Sequence, residues 1–146
     1  MTALPRVCVL DASIVIKAFL RERDSQQVRD MLRQSEADPD SLLLVPDLLF
    51  IECANILWRK VRGERYPDGM ARKNLADLGS LSLSSTPTSE LMERALEIAC
   101  AYGITAYDAC YVALSELAGA PLVTADDRLA EALSSARFEV LTLRGL

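Results

Sequence analysis

The chain has four acidic residues at positions suited to catalysis or ligand binding, and it contains no histidine. Asp11, Asp108 and Asp126 follow predicted strands or open predicted helices, the places where α/β folds gather ligands. Glu52 instead interrupts the apolar face of a predicted helix. Without histidine, the commonest general acid–base residue and the commonest metal ligand are both missing. Any hydrolytic chemistry would therefore depend on carboxylates and a hard metal ion.

Each of the three aspartates, taken alone, has a purely structural explanation. Asp11 lies between a strand and a helix and suits an N-cap, a role worth about 0.5–2 kcal/mol. Asp108 lies three residues after Thr105, as in a capping box with Asp in place of Glu. Asp126 or Asp127 suits the cap of the last helix and would interact favourably with its dipole. Spacing alone leaves capping and chemistry open at all three positions.

Glu52 lies in the middle of its predicted helix, where no capping role exists. Neighbours at spacings of three and four residues place it on a largely apolar face formed by Leu48, Leu49, Asn55 and Ile56. Burying a lone carboxylate costs several kcal/mol, so this side chain would have to be neutralised, paired or bound to a metal. The alternative is that Glu52 lies at the edge of the apolar stripe and reaches water.

The four acids are more informative together than singly. Residues just past the carboxyl ends of neighbouring parallel strands meet at one edge of a sheet. Carboxylates gathered there repel one another, which raises their pKa values, and a divalent cation relieves the repulsion. Ligation by oxygen alone favours Mg²⁺ or Mn²⁺ over zinc. One or two such ions would lower the pKa of a water and stabilise charge on a phosphoryl oxygen, so we predict a metal-dependent hydrolytic site.

Strands and helices alternate along the whole chain. The predicted strands cover residues 6–10, 42–45, 81–84, 121–124 and 138–143. The predicted helices cover residues 11–20, 24–34, 46–62, 66–78, 89–102, 107–118 and 126–136, with Thr88 as an N-cap and Gly63, Gly103 and Gly119 as stops. This alternation predicts a three-layer α/β/α domain over residues 1–146, with a central, mainly parallel sheet of four to five strands.

The composition limits the class of protein. The 146 residues are 51% hydrophobic and 25% charged, which is enough for one packed domain and excludes disorder. No apolar run reaches the roughly 20 residues of a membrane span, and residues 1–9 lack the features of a signal peptide. We therefore expect a cytoplasmic protein without a membrane partner. The four cysteines, which lack zinc-site spacing, are expected to be reduced and buried.

Four sequence motifs resemble those of PIN-domain ribonucleases, in the same order. They are Val-Leu-Asp-Ala-Ser-Ile-Val-Ile-Lys at 9–17, Pro46 with Glu52 and Asn55, Thr-Ala-Tyr-Asp-Ala at 105–109 with Tyr-Val-Ala-Leu at 111–114, and Leu-Val-Thr-Ala-Asp-Asp-Arg-Leu at 122–129. The likeness covers essentially the whole chain and is closest to the toxins of VapBC-type toxin–antitoxin pairs. One departure is Ala18, because an aromatic residue often follows the lysine of the first motif.

The resemblance implies a PIN-like fold and a Mg²⁺- or Mn²⁺-dependent endoribonuclease, the toxin of a type II toxin–antitoxin system. Its implied catalytic and metal-binding residues are Asp11, Glu52, Asp108 and Asp126. Asp11 and Asp108 look like the most direct ligands, while Asp127 remains open as a substitute for Asp126. The polar positions that support this quartet are Ser13, Asn55 and Thr124. The resemblance also implies an RNA substrate, a cognate antitoxin that inserts a segment near the active site, and a homodimer.

RNA phosphates need a positively charged path to such a site, because the chain carries a net charge of −5. Candidate RNA-binding cations are Lys17, Arg59, Lys60, Arg62 and Arg65. Most of them belong to one helix end, where cations are equally explained by the helix dipole. A second candidate surface, for a protein partner, is an exposed apolar face expected around Phe19, Leu20 and Trp58.

Two other functions fit parts of the pattern. Asp11 is a candidate nucleophile of an aspartyl phosphotransferase. Dehalogenase-like enzymes need a second Asp two residues later, where this chain has Ser13, and receiver domains need an early acid pair, whereas the Asp-Asp pair here is late. A catalytically inactive PIN-like module that binds RNA or protein is the other alternative, and the presence of all four acids argues against it.

Overall fold

In the computed structural model, which describes residues 3–146, five strands form one sheet in the order β3-β2-β1-β4-β5. The strands are β1 (Val7–Leu10), β2 (Leu42–Pro46), β3 (Ser84–Thr86), β4 (Leu122–Thr124) and β5 (Val140–Thr142). All neighbouring strands are parallel. The predicted α/β fold with a parallel sheet is therefore confirmed, while Met1 and Thr2 of the predicted domain lie outside the described residues.

Helices connect the strands in sequence. They are α1 (Ala12–Val15), α2 (Ser25–Ala37), α3 (Leu48–Gly63), α4 (Asp68–Gly79), α5 (Met92–Tyr102), α6 (Ala106–Ala118) and α7 (Asp127–Ala132), with 3-10 turns at Ile16–Phe19, Thr88–Glu90 and Leu143–Gly145. The chain moves along the sheet from β1 to β3 and then crosses back to β4. Because parallel crossovers are right-handed, the helices before β3 and those after it lie on opposite faces.

The centre of the molecule is formed by β1, β4 and α6. Residues 8–10 of β1 and all of β4 are buried, as expected for strands covered on both faces. Helix α6 packs against β1, β2 and β4, and its residues 109–115 are buried. Two of the predicted acids adjoin these central elements. Asp11 directly follows β1, and Asp108 lies in the first turn of α6.

The first predicted helix is wrong as a single element. Helix α1 ends at Val15, and the chain continues as the 3-10 turn Ile16–Phe19. Ile14, Val15 and Ile16 are consecutive β-branched residues, which restrict their own side-chain rotamers in an α-helix. The apolar residues that predicted one helix are therefore spaced for burial in two successive short helical segments, α1 and the 3-10 turn.

The predicted strand at residues 81–84 is displaced. Leu81 and Leu83 pack against the core outside the strand, and β3 begins at Ser84. Ser84 pairs with Leu44 and Thr86 with Pro46 in the register with β2. An edge strand made of exposed serines satisfies backbone hydrogen bonds without apolar alternation, so periodicity does not reveal it.

Two helices begin later than predicted. Helix α4 begins at Asp68, because the preceding Pro67 is extended and serves as its N-cap position. Helix α5 begins at Met92, after the 3-10 turn Thr88–Glu90. Thr88 does not cap α5 as predicted: its Oγ1 accepts a hydrogen bond from the backbone N–H of Leu48 at 3.2 Å, so it caps α3 from a distant part of the chain.

Several element ends also differ from the prediction. Helix α2 extends to Ala37, α7 stops at Ala132, and β5 is limited to Val140–Thr142. Gly63 is the last residue of α3, not its stop, and the positive φ of +54° after this helix belongs to Arg65. Gly103 and Gly119 are left-handed helix stops as predicted, with φ of +67° and +62°.

Burial differs from expectation at two positions. Cys8, Cys53 and Cys110 are free and buried, but Cys100 is exposed. Leu20 is also buried, so the predicted exposed face around Phe19, Leu20 and Trp58 does not exist as one surface. Trp58 itself is 52% exposed and belongs to a different surface, described below.

No single helix within residues 3–146 is long and apolar enough to cross a membrane. Helices α5 and α6 reach the necessary length and composition only when taken together, and they are bent by 113° relative to each other.

Candidate functional site

The candidate site lies at the carboxyl ends of β1 and β4, two neighbouring strands from which the chain leaves in opposite directions along the sheet. Diverging connections leave a crevice there, and open parallel sheets bind ligands at this position. Asp11 follows β1, and its backbone N–H donates to the carbonyl of Val123 on β4 at 3.0 Å. Asp126 follows β4 by two residues, so the structure places both aspartates at one edge of the sheet.

Two hydroxyl groups hold the Asp11 carboxylate, which is only 6% exposed. Ser13 Oγ and Thr124 Oγ1 each donate to Asp11 Oδ2 at 2.7 Å. The same hydroxyls accept backbone N–H groups at 3.0 Å, Ser13 from Ala125 and Thr124 from Asp126. Asp11 occupies the N-cap position of α1 as predicted, but its side chain makes no capping hydrogen bond, so capping does not account for this carboxylate.

Asp126, by contrast, is a helix cap. Its Oδ1 accepts the backbone N–H groups of Arg128 at 3.0 Å and Leu129 at 3.3 Å, at the start of α7. Its neighbour Asp127 is exposed and lies 3.7 Å from Arg144. The two adjacent aspartates therefore point to different surroundings, and only Asp126 interacts electrostatically with the other predicted site acids.

Glu52 is held by a tyrosine on another helix. The phenolic Oη of Tyr111, a fully buried residue of α6, donates to Glu52 Oε1 at 2.6 Å. Glu52 is half-buried on α3, so it is partly accessible to water, and it is also paired through the Tyr111 hydrogen bond. A role for Tyr111 was not predicted from the sequence. The available signal was its position three residues after Asp108, on the same face of α6.

Asp108 is half-buried in the first turn of α6. Its backbone N–H donates to Thr105 Oγ1 at 3.1 Å, which confirms Thr105 as the N-cap. Burial and the charges of Asp11 and Asp126 raise the pKa of the Asp108 carboxyl, and an interaction with the Thr105 hydroxyl lowers it. The N-cap thus accounts for the backbone N–H of Asp108, while its carboxyl group is influenced both by Thr105 and by the acids Asp11 and Asp126.

Burial and mutual repulsion raise the pKa values of three of these carboxyl groups. Desolvation is the largest cause at Asp11, Glu52 and Asp108. The charge of Asp126 raises the pKa of Asp11 further, while the hydroxyls of Ser13 and Thr124 oppose the shift. The charges of Asp11 and Asp108 raise the pKa of Glu52, which the Tyr111 hydrogen bond opposes. The four acids therefore act on one another as a single electrostatic group.

The chemistry of this donor set fits a hard divalent cation. Within residues 3–146, none of the four carboxylates forms an ion pair with lysine or arginine. Their negative charge is thus balanced by hydroxyl and amide dipoles only, and oxygen ligands suit Mg²⁺ and Mn²⁺. Over the same range, no three acidic or cysteine side chains are gathered closely enough to form a finished metal centre.

Asn55 and Arg59 extend the site along α3. Both line a groove of about 580 Å³ that includes Glu52 on the same helix and Tyr107 at the start of α6. Asn55 is exposed, and among the described residues no hydrogen bond joins it to Glu52. The structure therefore brings Ser13 and Thr124 into contact with a site carboxylate but leaves Asn55 beside it.

The predicted RNA-binding cations fall into two groups, those that form ion pairs with acidic residues and those that do not. Lys17 lies 2.9 Å from Glu22, and Lys60 lies 3.5 Å from the same glutamate and 3.1 Å from Glu64. These two lysines are therefore largely neutralised by their neighbours. Within the described part of the chain, Arg59, Arg62 and Arg65 form no ion pair, so these three arginines are the predicted RNA-binding cations that remain available for phosphates.

Comparison with known proteins gives the class of this chain. The PIN domain family model matches residues 8–133. Ribonuclease VapC3 from Pyrobaculum aerophilum is 33% identical over 125 residues, which cover 84% of this chain and 92% of that protein. Ribonuclease VapC9 from Mycobacterium tuberculosis is 34% identical over 123 residues, which cover 84% of this chain and 88% of that protein. The chain therefore belongs to the PIN domain family and, within it, to the family of the VapC ribonucleases.

Solved structures share the fold. PAE2754 from Pyrobaculum aerophilum superposes with a TM-score of 0.69 at 23% identity and covers 94% of this chain and 83% of its own. A toxin–antitoxin complex from Klebsiella pneumoniae gives a TM-score of 0.62 at 17% identity, covering 92% of this chain and 96% of its own. At these identities the likeness shows the fold, and the predicted PIN-like architecture is confirmed.

Proposed function

We propose that this chain is an endoribonuclease dependent on Mg²⁺ or Mn²⁺, and the toxin of a toxin–antitoxin pair. The ligands of one or two ions are Asp11, Glu52, Asp108 and Asp126. The observation that carries the proposal is a group of partly buried carboxylates that raise one another's pKa values without a cationic side chain to balance them. Such an arrangement costs stability unless a cation binds to it.

The fold holds one oxygen of each of three carboxylates. Asp11 accepts both of its hydroxyl hydrogen bonds at Oδ2. Glu52 accepts the Tyr111 hydrogen bond at Oε1, and Asp126 accepts a backbone N–H at the start of α7 at Oδ1. Each carboxylate is thereby oriented, and its second oxygen is left for another ligand. Together with Asp108, these carboxylates would hold the ion through oxygen atoms alone.

Because the chain has no histidine, hydrolysis would rely on the acids, the hydroxyl groups and the arginine of the site. A bound Mg²⁺ or Mn²⁺ supplies a water of lowered pKa and neutralises charge on a phosphoryl oxygen. The four acids would hold the ion at the crevice edge, and the hydrogen bonds from the Ser13 and Thr124 hydroxyls favour the ionised form of Asp11 against the effect of its burial, which raises the pKa. Arg59, close to Glu52 on α3, provides positive charge for the neighbouring phosphates of the substrate.

The substrate and the partner are inferred from the family. The curated relatives are ribonucleases by name, which supports RNA as the substrate. One of the solved structures with this fold is a toxin–antitoxin complex, which supports a cognate antitoxin. Homodimerisation is also part of the proposal, and the exposed apolar side chains of Met92, Leu96 and Leu117 on α5 and α6 are compatible with it.

Cleavage of purified RNA tests the enzymatic part. The wild type is expected to cut RNA with Mg²⁺ or Mn²⁺ and to be inactive in EDTA, and Asp108→Asn is expected to lower the rate by at least about a hundredfold. Asp127→Asn is the matched control, because it removes an exposed carboxylate one residue from Asp126. Undiminished cleavage by Asp108→Asn, or cleavage in EDTA, would show that the mechanism is wrong.

Growth tests the biological part. Expression of the wild type is expected to arrest a bacterial host, whereas Asp108→Asn is expected to be harmless. If a small antitoxin-like reading frame adjoins the gene, its co-expression is expected to restore growth. A host that grows normally with the active nuclease, or an arrest caused equally by the Asp108→Asn variant, would contradict the toxin assignment.

A further inference from the structure

Two exposed aromatic side chains face the same groove beside the candidate site. Trp58 is 52% exposed on α3, and Tyr107 is 63% exposed at the start of α6. Both line the groove of about 580 Å³ that also contains Glu52 and Arg59. Its volume falls within the roughly 300–1,000 Å³ of small-ligand pockets. We call this feature the aromatic groove.

The aromatic groove is continuous with the acids. Helix α3 carries both Glu52 and Trp58, and Tyr107 directly precedes Asp108 on α6. One aromatic ring therefore belongs to each of the two helices that present an acid to the crevice. Because Glu52 itself lines the groove, a nucleotide adjoining a phosphate at the carboxylates would enter the same groove as these rings.

One arginine lies in the lining of the aromatic groove, which also includes the acid Glu52, and a second arginine lies beside it. Arg59 lines it, and the guanidinium carbon of Arg62 lies 5.1 Å from the centroid of the Trp58 ring, a cation–π contact. Neither arginine has an acidic partner among residues 3–146, in contrast to Lys17 and Lys60. Positive charge and exposed rings next to each other are the two components of surfaces that bind single-stranded nucleic acids.

From this geometry we infer that the aromatic groove binds an unpaired base of the RNA next to the cleaved phosphodiester, by stacking on Trp58 and Tyr107. The inference rests on the proposed ribonuclease function and adds two residues, Trp58 and Tyr107, that would position the substrate beside the acids. A base within a duplex is stacked between its neighbours and cannot offer its face to a side chain. The groove therefore selects for loops, bulges and single-stranded ends.

The chain contains a single tryptophan, so its fluorescence reports directly on the aromatic groove. The Asp108→Asn variant, which is expected not to cleave, is titrated in Mg²⁺ with a short single-stranded oligoadenylate and with a blunt RNA duplex of the same length. The single strand is expected to quench the emission of Trp58, and the duplex is expected to leave it unchanged. Equal quenching by both RNAs, or by neither, would overturn the inference.

Side-chain variants give a second measurement. Tyr107→Ala and Trp58→Ala are expected to weaken binding of a labelled oligoadenylate by about tenfold, followed by fluorescence anisotropy, because each loses a stacking surface. Tyr107→Phe keeps the ring and is expected to bind like the parent protein. Phe50→Ala is the matched control, since Phe50 is an exposed aromatic of the same helix α3 outside the groove. Binding of Mn²⁺ by calorimetry is expected to be unchanged in all four variants.

Cleavage by the active protein separates failure of the inference from failure of the proposed function. If wild type cleaves RNA but Tyr107→Ala and Trp58→Ala retain its KM and its RNA affinity, the base-stacking inference fails and the nuclease remains. If RNA quenches Trp58 but the wild type never cleaves with Mg²⁺ or Mn²⁺, the proposed function fails and the groove remains a nucleotide site. Variants that lose only antitoxin binding would assign the groove to a protein and overturn the inference.

Discussion

Tyr111 and Glu52 are joined by a hydrogen bond of 2.6 Å between the phenolic Oη and Oε1, although 59 residues separate them in the sequence. Tyr111 lies on α6 three residues after Asp108, so one helix presents its own acid and orients the acid of another helix. The hydrogen bond lowers the pKa of Glu52 against the effect of burial. Tyr111 is therefore expected to be a positioning residue for the candidate metal site.

Tyr111→Phe is expected to weaken Mn²⁺ binding several-fold, because Glu52 loses the hydrogen bond that orients it and favours its ionised form. Binding is measured by calorimetry on the full chain, with kcat and KM for RNA measured in parallel. The change removes one hydroxyl and keeps the buried ring, so stability is expected to fall by no more than about 1 kcal/mol. Unchanged Mn²⁺ affinity across the pH range would show that Tyr111 has only a packing role.

Tyr66→Phe is the matched control for this variant. The Tyr66 hydroxyl accepts a hydrogen bond from the amide of Asn74 at 2.5 Å, away from the acids. Its loss leaves a buried amide without that partner, at a cost of about 1 kcal/mol. This variant is expected to be less stable than the wild type in urea but to bind Mn²⁺ equally well.

Thr124→Val is expected to destabilise the protein by about 1–3 kcal/mol, because it removes a buried hydroxyl that serves two groups. Asp11 Oδ2 loses a donor, and the backbone N–H of Asp126 loses its acceptor. Urea unfolding measures the effect, and Thr124→Ser is expected to recover most of it by restoring the hydroxyl. Because that hydroxyl lowers the pKa of Asp11, Mn²⁺ binding by Thr124→Val should also require a higher pH. A valine variant as stable as the wild type would contradict this role.

Asp108→Asn is expected to stabilise the metal-free protein at neutral pH. Burial and the charges of Asp11 and Asp126 raise the pKa of Asp108 above its ordinary 3.8 in the folded state. The folded state thus binds more protons than the unfolded state between those two pKa values, and Asp108 lowers the free energy of unfolding as the pH rises through that interval. The gain in the variant is at most about 1 kcal/mol, since the side chain is half-exposed, and it should vanish in acid.

Urea unfolding of both proteins in EDTA at several pH values measures this difference. Comparing the two proteins removes the opposite contributions of Glu22, Asp47 and Glu116, whose pKa values are lowered by their partners. The exposed Asp127→Asn serves as the control for loss of one negative charge and is expected to remain close to the wild type. A variant that is less stable than the wild type at neutral pH would mean that Asp108 makes favourable contacts in the folded protein.

Mn²⁺ is expected to raise the melting temperature of the wild type, because an ion bound only by the folded state stabilises it by about 2.7 kcal/mol at one hundred times Kd. Asp11→Asn is expected to lose most of this stabilisation, and Asp127→Asn to keep it. Differential scanning fluorimetry with and without EDTA provides the measurement. Equal stabilisation of all three proteins would place the ion elsewhere on the surface.

Local sequence patterns predict much of the fold. The buried run at β1, the helical spacing of α6, the Thr105 cap and the left-handed stops at Gly103 and Gly119 follow from neighbours within a few positions. Elements with weak local patterns were mispredicted. The serines of β3 pair only because β2 provides a partner, and Thr88 caps a helix 40 residues away because the two segments meet in the folded chain.

The sequence by itself determined the fold class and indicated four candidate acids, since strand alternation and the absence of histidine are properties of the chain. Only the tertiary structure decided how those acids are held. Ser13 and Thr124 both donate hydrogen bonds to one oxygen of Asp11, and Tyr111 donates one to Glu52. Glu22 forms ion pairs with Lys17 and Lys60. Periodicity records which side of an element is buried, whereas these contacts join residues on different elements and depend on how the helices dock on the sheet.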